Sequence, residues 1–158
     1  MYPDFKELLS RFNAHKIKYL VVGGYAVSFH AQPRATKDLD ILIKANAANA
    51  AEVYAALAEF GAPLAELTPG DFIEKGKFYR IGVPPLMIDI FSEISGVDFN
   101  AAWEKRVQVE IEPGLQVPFI DAESLIAAKL ASGRLEDLAD AEALRQATRN
   151  RAKQTDMD

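Results

Sequence analysis

The 158-residue chain contains no cysteine, which removes disulfide staples, thiolate metal sites and cysteine nucleophiles and is compatible with a reducing compartment. Histidine is nearly as scarce. His15 and His30 are the only imidazoles; they fall on different expected elements without the paired spacing of a zinc site, and both read as structural. No apolar run reaches the roughly 18–20 residues that a membrane-spanning helix needs; the longest, Tyr19 to Val27, carries two glycines. Met1-Tyr2-Pro3-Asp4 lacks the basic segment of a secretory signal, so the expected location is cytoplasmic. Also missing are the Gly-x-Gly-x-x-Gly dinucleotide fingerprint and the phosphate loop ending Gly-Lys-Ser/Thr. A formal charge of −5 argues against unspecific polyanion binding and leaves room for a local basic patch.

What is present suits an α/β (α+β) fold, expected as a single domain over residues 1–158 with a core at about 15–120 and C-terminal helices at about 121–150. Phe5, Leu8, Leu9 and Phe12 recur at helical spacing, so residues 4–14 read as an amphipathic helix. Lys18 to Val22 reads as a strand, Tyr25 to Ala31 as a helix ending before Pro33, and Asp38 to Lys44 as an alternating strand. The alanine-rich stretch 47–60 favours helix and Gly61 ends it; residues 64–75 read as loop or irregular strand. Lys77 to Ile81 and Leu86 to Phe91 form a hairpin about Gly82-Val83-Pro84-Pro85, which puts Phe78, Arg80, Met87 and Asp89 on one face. A helix at 97–106, a second hairpin about Pro113-Gly114, a helix from its cap Asp121 to Gly133 and a last helix from Arg134 to about Arg149 complete the reading, with a frayed tail beyond Arg151.

The chemistry-bearing residues begin at Val22-Gly23-Gly24, where a strand exits abruptly into a helix. Glycine there supplies positive φ, and it also lets backbone N–H groups at a helix N-terminus approach a phosphate. Asp38-Leu39-Asp40-Ile41 follows. Residues two apart in a strand share a face, so Asp38 and Asp40 project together with Cα atoms roughly 6.6 Å apart. Leu39, Ile41 and Ile43 commit the other face to core. A third acid, Asp89, sits inside the apolar run Leu86 to Phe91, where a lone ionised group is costly. Crowded carboxylates repel unless a cation or proton intervenes, and three of them offer enough oxygen for two metal ions clamping a phosphoryl displacement. Arg34, Thr36 and Lys37, just before the acids, supply donors for phosphate oxygens as any solvated loop also would. Arg80 either balances Asp89 or meets a triphosphate. Lys129, Arg134, Asp137 and Asp140 read first as helix capping and surface pairing.

Taken in order, these residues resemble the polymerase-beta-like nucleotidyltransferase superfamily: hydrophobic-Gly-Gly, a spacer, Asp-hydrophobic-Asp-hydrophobic, then an Asp on a later strand. Gly23-Gly24-Tyr25-Ala26, Arg34-x-Thr36-x-Asp38-x-Asp40 and Lys129-x4-Arg134-x2-Asp137-x2-Asp140 are further similar to small bacterial nucleotidyltransferase-like proteins related to abortive-infection and toxin–antitoxin transferases, over residues 19–144. The resemblance implies a mixed β-sheet flanked by helices, with Asp38, Asp40 and Asp89 holding two Mg²⁺ and Asp89 helping to deprotonate the acceptor. It implies that Gly23 and Gly24 hold the triphosphate of an NTP, with Arg34, Thr36, Lys37, Lys129 and Arg134 as further nucleotide contacts. The reaction implied is transfer of an NMP to a hydroxyl of RNA or protein with release of pyrophosphate, beside an antitoxin or other partner protein. There are departures: Gly24 stands where many relatives carry serine, and 158 residues leave little room for the substrate domain of larger transferases. The alternative is therefore a catalytically silent nucleotide- or partner-binding module on the same fold; two-metal phosphate ester hydrolysis is a weaker third.

Overall fold

The alternating stretches of the sequence become a six-stranded mixed sheet and the helical-period stretches its flanking layers, an α+β arrangement. The computed structural model describes residues 1–83 and 86–157. In chain order the elements are α1 (Pro3–Ala14), β1 (Tyr19–Val22), α2 (Gly23–His30), β2 (Leu39–Ile43), α3 (Ala47–Phe60), β3 (Phe78–Val83), β4 (Leu86–Phe91), α4 (Phe99–Glu104), β5 (Val107–Glu112), β6 (Leu115–Phe119), α5 (Ala122–Ser132) and α6 (Leu135–Met157). The strand order is β3-β4-β2-β1-β6-β5. β1 is antiparallel to β2 and parallel to β6, and β2 is parallel to β4. Edge strands β3 and β5 run antiparallel to β4 and β6. Pro84 and Pro85 of the expected first connection lie outside the described residues.

Burial follows the sequence pattern. Phe5, Leu8, Leu9 and Phe12 of α1 are buried, as are Ala50, Val53, Ala56 and Leu57 of α3, and the two helices pack on each other. Leu39, Ile41 and Ile43 bury the sheet face opposite the acids. Asn49, itself buried, ties α3 to the far end of the sheet: its side chain accepts from Lys18 N at 2.9 Å and donates to Lys18 O at 3.0 Å and Lys44 O at 2.9 Å. The carboxylate of Asp121 accepts from Ser124 N and starts α5, which Gly133 ends.

Four expectations are corrected. α2 begins at Gly23, two residues early, so both glycines lie in its first turn. Residues 69–72 form a 3-10 turn inside the expected loop, because the Thr68 backbone N–H and hydroxyl both bond to Asp71. α4 is shorter than 97–106, starting only after its cap Asp98. α6 runs on to Met157 where a frayed tail was expected. Its end is anchored: the Arg151 guanidinium donates to the carbonyl oxygen of His30 at the C-terminus of α2.

Candidate active site

Strand register assembles the acids. Across the parallel β2–β4 pair, Asp40 stands opposite Asp89, so their side chains share a face at the usual strand spacing of about 4.8 Å. Asp38 precedes β2 by one residue and lies near enough for its charge to act on Asp40. On the other flank Val22 pairs with Asp40, which brings the next residue, Gly23, directly over the Asp40 carboxylate. Gly23 has φ of +67°, and a Cβ there would overlap that carboxylate. Gly24 is less confined: it has no positive φ, and a Cβ there would lie 2.9 Å from the Thr36 Cγ2 methyl. Gly23 is thus required for the close approach of α2 to Asp40 as well as for the turn. α2 has no side-chain cap at Val22, so its first-turn N–H groups remain available to an anion.

The electrostatics of the acids are uneven. Burial, then the neighbouring charges of Asp89 and Asp38, push the Asp40 carboxyl up to about 7, against the opposing pull of Lys129 and Arg80. No hydrogen bond reaches Asp38 or Asp40 among the described residues. Asp89 is only 5% exposed and is gripped by Arg80 in a bidentate fork, Nε to Oδ1 at 2.7 Å and a terminal nitrogen to Oδ2 at 2.9 Å. Arg80 therefore balances the acid, one of its two expected roles. Among the described residues no three Asp, Glu or His side chains converge tightly enough to hold one ion. The donor set nevertheless fits a hard divalent cation: it is all carboxylate oxygen, and the partly buried Asp40 has no donor to answer its charge.

Asp40 and Gly23 open onto a cleft of about 390 Å³ whose opposite wall carries Lys129 and Ser132 of α5, Asp137 of α6 and Arg134 from the turn between them. These residues form one ion-pair chain. Asp137, buried at 3% exposure, accepts from Ser132 Oγ at 2.7 Å and Arg134 Nε at 2.8 Å and lies 3.4 Å from Lys129 Nζ. Those donors, Ser132 first, hold its carboxyl down at about 2. Lys129 also meets Asp140 at 3.1 Å, and Arg34 donates to Asp140 at 2.8 Å. The pairing first read as a surface feature is largely buried and built into the cleft wall.

Among the expected nucleotide contacts, Gly23, Lys129 and Arg134 thus line one cleft with Asp40. Arg34 and Thr36 border a second hollow of about 370 Å³ with Tyr2, Tyr25 and Ser28, beside Gly24. Asp38 lies toward that hollow, where it helps burial and Tyr2 to raise the Tyr25 phenol pKa. Lys37 is exposed and lines neither space. Ser132, Tyr25 and Phe91 were missed. Ser132 and Tyr25 adjoin motif residues in the chain, a weak signal; Phe91 alternates with Asp89 on β4, which does mark it for the acid face.

A family model described as nucleotidyltransferase of unknown function (DUF6036) matches residues 4–150. No curated protein matches the chain. Among solved structures, a protein of Thermotoga maritima assigned as a nucleotidyltransferase superimposes with a TM-score of 0.58 at 19% identity, over 92% of this chain and 91% of that one. ANT(2")-Ia in complex with adenylyl-2"-tobramycin gives 0.58 at 13% identity, over 97% and 91%. An antigenic nucleotidyltransferase-like protein from Paracoccidioides brasiliensis gives 0.53 at 16%, over 90% and 72%. These likenesses establish the nucleotidyltransferase fold.

Proposed function

We propose, for a chain that belongs to the nucleotidyltransferase family DUF6036, that it moves a nucleoside monophosphate from NTP to a hydroxyl of RNA or protein and releases pyrophosphate. The carrying observation is the side-by-side placement of Asp40 and Asp89 beneath the uncapped N-terminus of α2, with Lys129 across the cleft. Asp38, Asp40 and Asp89 would hold two Mg²⁺, which when bound supply the positive charge that a phosphoryl displacement requires. The first-turn N–H groups of α2 and the Lys129 ammonium bind the β- and γ-phosphates. A carboxylate oxygen of Asp89 takes the proton of the acceptor hydroxyl. The acceptor oxygen then bonds to the α-phosphorus as the bond to pyrophosphate breaks, and the leaving charge falls on the same donors. A cytoplasmic setting and a cognate antitoxin or other partner belong to the same reading.

The test is incubation with each α-labelled NTP, Mg²⁺ and cell extract. Label should enter RNA or protein with pyrophosphate release, and Asp40→Ala should lower the rate at least about 100-fold. Wild-type transfer by Asp40→Ala would refute the assignment. The Arg80 fork on Asp89 favours a second reading, a nucleotide-binding module without turnover, because it keeps the third acid occupied. Calorimetric NTP binding with no pyrophosphate from any acceptor pool would select it.

A further inference from the structure

We propose that the stacked pair Phe78–Phe91 receives a nucleobase of the acceptor, making single-stranded RNA the acceptor class; this rests on the transfer reading above. Phe78 is 54% exposed on edge strand β3. Its ring lies 5.5 Å from that of Phe91 at an interplanar angle of 25°, and Phe91 lines the cleft that contains Asp40. The register Phe78↔Phe91 and Arg80↔Asp89 sets this platform on the acid face, one same-face step from Asp89. Strand order places it on the far side of the acids from Gly23: β4 flanks β2 on one side and β1 on the other.

That separation assigns the two halves of the site. With the proposed phosphate donors at Gly23 and Lys129, the β3–β4 side, past Phe78, is the approach assigned to the acceptor hydroxyl. An exposed flat ring stacks against any base. The Arg80 guanidinium carbon lies 5.8 Å from the Phe78 ring centroid; with its side chain half exposed and two nitrogens on Asp89, it has donor capacity for the adjoining sugar–phosphate. A lone arginine on a chain of net charge −5 gives recognition of a terminal nucleotide by stacking, with a shallow salt dependence rather than the steep slope of a basic track.

The experiment measures fluorescence anisotropy of labelled hexauridylate and hexaadenylate, and of an abasic oligomer of equal length, with the full chain and Mg²⁺. Wild type should bind both base-bearing oligomers and lose the abasic one. Phe78→Ala and Phe78→Leu should weaken binding roughly tenfold or more and Phe78→Trp retain it, with Mg·NTP affinity unchanged in all three. Equal binding by Phe78→Ala, tight binding of the abasic oligomer, or no oligomer binding by wild type overturns the proposal. So does a loss confined to NTP, which would give the platform to the donor base. Binding needs no turnover, so the two readings separate: Phe78-dependent binding without pyrophosphate release sinks the transfer reading alone, and transfer to protein unaffected by Phe78→Ala sinks the RNA platform alone.

Discussion

Asp40→Asn, in protein stripped of divalent ions, should make the fold more stable. Burial and the charges of Asp89 and Asp38 raise the Asp40 carboxyl from 3.8 to about 7. Because the folded state favours the protonated form, the wild type is most stable relative to Asp40→Asn below pH 3.8. It loses stability as pH rises and levels off above about 7. At about 1.4 kcal/mol per pH unit, the ionised acid costs about 4 kcal/mol at pH 8, a large part of the roughly 5–15 kcal/mol that holds such a domain together. Asparagine keeps the size and polarity and carries no charge. Urea denaturation of both proteins in EDTA from pH 4 to 8 should show the gap widening with pH, equivalent to a rise in melting temperature of about 10 °C near neutrality. Mg²⁺ should narrow it by stabilising the wild type alone. A constant gap across that range, or a wild type more stable than Asp40→Asn at pH 8, would refute the claim that crowded carboxylates strain this site.

Gly23→Ala should cost roughly 1–2 kcal/mol from its positive φ alone and displace Asp40, so melting temperature and transfer rate fall together; wild-type values in both would show that the glycine is not needed for the approach. Lys129→Met should cost about 1–3 kcal/mol by removing one partner of the buried Asp137, and weaken NTP binding in calorimetry, whereas Lys129→Arg should recover most of both. His15 bridges Glu52 at 2.8 Å and Glu59 at 2.9 Å, which raises its pKa above 6.5. The clamp between α1 and α3 is then fully present below pH 6.5 and is lost as pH rises through the raised folded value. Melting curves of His15→Gln should lack the decline that the wild type shows over that window.

Most of the elements were legible because period and punctuation agree: Gly61 ends α3, Asp121 and Gly133 frame α5, and β4 falls on Leu86–Phe91. Asp38 and Asp40 were legible as a pair, since alternation alone places them opposite Leu39 and Ile41; Asp89 joins Asp40 through the β2–β4 register. The electrostatics of the three were not. That Arg80 would fork onto Asp89 depends on the β3–β4 register, and that Arg34 and Lys129 would meet at Asp140 depends on how α6 crosses α5 and the loop before β2. The end of α6 was misread because its last turns carry little apolar residue; the long-range contact of Arg151 with His30 is not visible in the sequence.

That contact has a mechanical consequence. α2 is a strut of two turns, its leading pole aimed at the acids and its trailing pole held by a cation from the last turns of the chain. Under the proposed function, shortening the protein there would release the trailing end of α2 and loosen nucleotide binding from the opposite end of the rod.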